Sequence, residues 1–237
     1  MNEIIFRKAF EEIEKTPDFK SINEDISRVF YSLYIRCKRL YLTTALIRKT
    51  NDKDITHIES LPLFRAFMES YFHISYVMSE KDTSKIKEGY QYLMDYSHSL
   101  IASKIKDSEG MGSLVNEFLE LHNQVVVIPD EYKFLNSPKQ LADKTGKIEL
   151  WRNHYNVLNS FLHYNPSTFI NYGMFDEDGS FTFNRENDED ENDVYELIDK
   201  FLSALIVEID DYFQNEELDN KLMELLTEYV ERTIKKT

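Results

Sequence analysis

Residues 61–78, LPLFRAFMESYFHISYVM, are an almost unbroken apolar run with helical spacing, interrupted by Arg65, Glu69 and His73. At roughly 100° per residue those three fall within an arc of about 80°. Phe64, Phe67, Met68, Tyr71, Ile74 and Met78 lie on the side away from them. A helix that is apolar nearly all round is a buried one. Charges carried into such a place cost several kcal/mol unless they are paired, so Arg65 and Glu69, four residues apart, are expected to be buried and to have hydrogen-bonding partners.

The rest of the chain is consistent with a helical protein around that segment. Six Gly and five Pro among 237 residues are too few for a turn-rich β architecture, and 42% hydrophobic residues with 14% aromatics supply a sizeable core. Helical spacing predicts α-helices over 2–15, from Ser21 or Asn23 to about Thr50, over 83–106 and over 113–123. Further helices are predicted over 139–144, 148–163, 193–214 and 216–235. Thr16-Pro17 should stop the first, Ser60 should cap the focal helix, and Gly146 should end the short one. Aromatic and alternating residues at 168–175 and 180–184, around Asp176-Glu177-Asp178-Gly179, read as a small β-hairpin. The acidic run 186–193 reads as solvated linker. The expected architecture is all-α, a multi-helix bundle of about seven or eight helices in one domain over 1–237, with that hairpin near 168–184 as an insertion.

Charge and cysteine content narrow the function classes. With 43 acidic against 28 basic residues the net charge is −15, which disfavours coating of a phosphate backbone and leaves a local RNA or nucleotide site, or a protein partner. Cys37 stands alone, so no internal disulfide and no cysteine-based metal framework is available. No 18-residue apolar run lacks charge, and the N-terminus MNEIIFRKAFEEIEK is not a secretion signal. A cytoplasmic protein without membrane span, metal or cofactor is therefore expected. The absence of a phosphate-cradling Gly-rich loop and of a G-x-S-x-G elbow excludes a P-loop NTPase and an α/β-hydrolase.

A second candidate face lies on the predicted helix 148–163, where Arg152, Tyr155, Asn159 and His163 share an arc of about 80°, opposite Trp151, Leu158 and Leu162. Facing the Arg65/Glu69/His73 stripe, it would make a site in which His163 titrates near neutrality, Glu69 and Tyr155 orient it, and Arg65 holds an anionic oxygen. Arg152, Asn159, His73 and Ser160 would be the binding residues around it. The same residues equally describe the solvated side of an ordinary amphipathic helix.

Two segments carry a resemblance. LFRAFMESYFHISYV and KQLADKTGKIELWRNHYNVLNSFLHYNPSTF are similar to the Arg/Glu helix and the Leu-Ala…Gly…Tyr…His region of a bacterial helical family of unknown function, domain-of-unknown-function 5677, over about 22–170. The resemblance puts Arg65, Glu69, Leu141, Ala142, Gly146, Tyr155 and His163 in the family's positions, with Asn159 where it usually has Ser and Ser160 beside it. His163-Tyr164-Asn165-Pro166-Ser167 is two residues longer than the family's usual H-P-S. Leu158-Asn159-Ser160-Phe161-Leu162-His163 also resembles the R-N-x-x-x-H motif of the HEPN superfamily, with Leu158 in place of the Arg. These resemblances imply a HEPN-like bundle, a homodimer, and one of two roles. One is an interaction or sensor component of a defence or toxin–antitoxin system. The other is a ribonuclease or nucleotide-acting toxin using His163 as acid/base.

Overall fold

The computed structural model describes residues 2–50, 57–105, 113–122, 124–161, 173–183 and 188–234. Helix α1 (Asn2–Lys15) is followed by a single turn, α2 (Pro17–Lys20), and then by the long α3 (Glu24–Lys49). Thr16-Pro17 ends the first helix, as expected, and opens a further helical turn. The Thr16 hydroxyl accepts from the Phe19 amide at 3.2 Å, and proline suits a first helical turn because its missing N–H would have no partner there. The Asn23 side chain caps α3 in the same way, accepting from Asp25 at 2.9 Å.

Helix α4 (Leu61–Ser79) is the focal segment, and none of its residues from Leu61 to Met78 is exposed. Phe64, Phe67, Met68, Phe72, Ile74 and Val77 are each at most 1% exposed. They are enclosed by α3, by α7 (Pro138–Lys144) and by α10 (Asp188–Phe213). Ser60 does not cap α4 with its side chain. It belongs to the 3-10 turn His57–Ser60 that runs directly into the helix, and its own backbone is already helical.

Helix α5 (Thr83–Ile105) lies against α3 and against the 3-10 segment Asp130–Asn136, which Gly89 allows to approach closely. The short α6 (Ser113–Leu121) follows α5. The turn after α7 is closed by Gly146 at φ 71°, a left-handed conformation that glycine adopts without penalty. Lys147 N–H bonds to Ala142 O and Gly146 N–H to Asp143 O, a Schellman stop.

The segment 148–161 departs most from expectation. It is a continuous helical path of changing pitch: α8 (Ile148–Leu150), a π turn Trp151–Tyr155, α9 (Asn156–Leu158) and a 3-10 turn Asn159–Phe161. Gly173–Phe175 (β1) pairs antiparallel with Phe181–Phe183 (β2), the single β pairing among the described residues; 168–172 and 184 lie outside them. Helix α10 starts at Asp188, inside the acidic run expected to be linker, because acidic residues suit the positive end of a helix dipole. Helix α11 (Glu216–Ile234) packs on α1 and α10 and completes the bundle.

Candidate functional site

Arg65 and Glu69 occupy successive turns of α4, with Arg65 Nη1 3.3 Å from Glu69 Oε2. This order, cation toward the N-terminus, is the weaker of the two i,i+4 arrangements, so the pair gains little from the helix alone. Its stronger engagement is with the segment 148–161. Arg65 Nε donates to Asn159 Oδ1 at 3.1 Å, and the guanidinium carbon lies 4.7 Å from the centroid of the Tyr155 ring. That is a cation–π contact added to two directed hydrogen bonds. Tyr155 is 4% exposed, with its ring 6.0 Å from that of Phe72, so the aromatic platform under Arg65 is anchored in the core.

The expected burial of the charged pair is only partly met. The Arg65 and Glu69 side chains retain 21% and 32% of their exposure, so solvent reaches both. Tyr155 Oη, by contrast, is buried and has no hydrogen-bond partner among the described residues. Burial first, and the nearby Glu69 carboxylate second, push its hydroxyl up to about 12. The phenol therefore stays protonated at neutral pH, with its hydroxyl beside the Glu69 carboxylate.

Three predicted members of the site are elsewhere. His73 turns to α5, where its Nδ1 is 2.9 Å from Tyr90 Oη, and burial lowers its pKa to about 4. Arg152 is exposed and pairs with Glu149 one turn back. The physical reason is the π turn, which advances each residue by less than the α-helical 100° and rotates Arg152 away from Tyr155 and Asn159. Ser160 Oγ donates to Val157 O at 2.7 Å and so serves its own turn. His163 lies outside the described residues. What the structure brings together is Arg65, Glu69, Tyr155 and Asn159.

The other face of 148–161 is largely apolar, although Asn153 and His154 also line the cavity there. Val157, Leu158 and Phe161 help line a cavity of about 250 Å³ with Leu61, Phe64 and Leu197. Leu158, where the HEPN motif would carry Arg, is 7% exposed and belongs to this apolar layer. An Arg there would have its charge on the wrong side of the segment from Glu69.

One polar centre escaped the sequence reading. Glu208 on α10 accepts from Tyr71 Oη at 2.5 Å, from Ser75 Oγ at 2.6 Å and from Lys147 Nζ at 2.9 Å. It ties α4, α10 and the Gly146 turn together. The available signal was Tyr71 and Ser75 at i,i+4 on an otherwise apolar helix. Among the described residues no group of three or more His, Cys, Asp or Glu could hold a metal ion, and no helix is long and apolar enough to cross a membrane.

The Arg/Glu helix, the short α7 with its glycine stop and the Tyr155/Asn159 segment all lie within residues 28–181. The model of a family of unknown function, DUF5677, matches that range, and the chain belongs to this family. Comparison with the curated proteins and with the solved structures gave no match.

Proposed function

We propose that the chain is a non-enzymatic interaction or sensor component of a bacterial defence or toxin–antitoxin type system, with Arg65, Glu69, Asn159 and Tyr155 as a polar latch. One observation carries this reading. The Arg65 guanidinium is already engaged on three sides by its own chain, through Glu69, Asn159 and the Tyr155 face, instead of being presented to an open cavity. A latch of this kind is opened by a partner or ligand whose anionic group competes for the guanidinium. In this reading the chain is one helical domain, HEPN-like in its bundle, cytoplasmic and homodimeric.

A second reading is favoured by the solvent access to Arg65 and Glu69 and by the unpartnered Tyr155 hydroxyl. In it the chain is a HEPN-like ribonuclease or nucleotide-acting toxin, with His163 as acid/base, Arg65 as anion clamp and Glu69 and Tyr155 as orienters. Wild type, Arg65→Ala and His163→Ala, compared in melting curves, an RNA-degradation assay and a growth-arrest assay, separate the two. The latch predicts no RNA cleavage by wild type and a loss of about 1–3 kcal/mol of stability in Arg65→Ala. RNA cleavage that disappears in His163→Ala at unchanged melting temperature refutes it.

A further inference from the structure

A second cavity with charged walls shares no residue with the Arg65/Glu69/Tyr155/Asn159 cluster. It lies between the N-terminal turn of α1, the last turns of α3 and the first half of α10, with a volume of about 150 Å³. Its α1 and α10 walls fall outside the family-matched range 28–181, while its α3 wall falls inside.

The walls carry charges of both signs. Asp199 is 3% exposed and accepts from Asn2 Nδ2 at 2.7 Å and from Tyr41 Oη at 3.0 Å. The Arg48 guanidinium is held over the Tyr195 ring, 5.0 Å from its centroid, and its Nη1 stands 3.7 Å from Asp199 Oδ2. That separation is an ion pair without a hydrogen bond between the two groups. Lys49 pairs with Glu3, itself 9% exposed. The lining itself thus holds Arg48 and Lys49 against Glu3 and Asp199, a net charge of zero, while the half-exposed Arg7 pairs with Glu3 from outside the cavity.

This balance selects among ligands. A lone anion or a lone cation would add an uncompensated charge beside the buried Asp199, which is costly. A zwitterion brings none. A carboxylate offers about four acceptor sites, of which Asp199 uses two, and the planar guanidinium of Arg48 retains donors suited to a second carboxylate. An α-amino acid carries its opposite charges one carbon apart, which suits a guanidinium and a carboxylate 3.7 Å apart. A cavity of this volume takes about six heavy atoms, the number in benzene.

We propose that this cavity binds a small zwitterionic α-amino acid of the size of alanine or serine, its carboxylate on Arg48 and its ammonium on Asp199. The side chain would lie toward Ala45, which lines the cavity from α3. Titration calorimetry and melting curves of the full chain with L-alanine, L-serine, acetate and methylamine test this. The expected result is saturable binding of the two amino acids with a rise in melting temperature, and none with acetate or methylamine at the same concentration. Arg48→Gln should weaken binding about tenfold or more. Ala45→Leu, which keeps every charge and fills the space, should abolish it while the variant remains folded. Failure of both amino acids to bind at millimolar concentration overturns the proposal. So does acetate or methylamine binding as tightly as alanine, or alanine binding that survives Ala45→Leu.

Discussion

Replacing His73 by Gln tests which neighbour governs its charge. In the folded protein the ring is enclosed between α4 and α5 against Tyr90, and burial, with Arg36 adding repulsion, lowers its pKa from 6.5 to about 4. A histidine with a depressed folded pKa is neutral in the native state and takes up a proton on unfolding. Its contribution to stability is therefore present above the unfolded pKa and is lost as the pH falls toward the folded one. With 6.5 and about 4 as the two values, the loss from neutral pH is about 2 kcal/mol at pH 5 and about 3 kcal/mol at pH 4. Urea titrations of wild type and His73→Gln at several pH values between about 4 and 7.5 measure this directly. The stability difference between the two should shrink by that amount on acidification, because only wild type carries the penalty. A His73 held beside the Glu69 carboxylate would have a raised pKa and the opposite slope, with wild type gaining on the variant as the pH falls. That slope would refute the assignment of His73 to Tyr90.

Gly89→Ala should destabilise by about 1–3 kcal/mol in the same urea assay, since its Cβ would stand 2.8 Å from both Leu135 Cδ1 and Tyr132 Cδ1. Asp210→Asn should stabilise the protein at neutral pH. Burial, and then the Asp219 carboxylate, raise the Asp210 pKa from 3.8 to about 6, so its contribution is present in acid and lost as the pH rises through 6. Melting temperatures of wild type and Asp210→Asn should diverge as the pH rises from about 4 to about 6, with the variant higher, and the gap should stay constant above that.

Residue types at helical spacing revealed the burial of most of α4 because that inference needs no knowledge of neighbours: Phe64, Phe67, Met68, Tyr71 and Ile74 form one broad apolar face, while Arg65 and Glu69 keep some solvent access. Gly146 was equally legible, since a left-handed residue after α7 has few alternatives to glycine. The acidic start of α10 was not, because a run of like charges reads as solvated whether it precedes a helix or begins one. Asp188–Asp193 does the second.

The site divides along a physical line. Arg65 and Glu69 share one regular helix, so their mutual contact follows from spacing alone. The partners across the cleft depend on the pitch of 148–161, and pitch is a tertiary outcome. A uniform α-helix would place Arg152 with Tyr155 and Asn159, whereas the π turn at Trp151–Tyr155 keeps Tyr155 and Asn159 toward α4 and sends Arg152 to Glu149. A π turn costs hydrogen-bond geometry and persists where packing favours it. Here the favourable packing is visible: the Tyr155 ring sits near Phe72 and under Arg65, while Leu158 and Val157 remain on the apolar side. The irregular turn is thus the element that converts an Arg/Glu pair on one helix into a four-residue polar cluster between two.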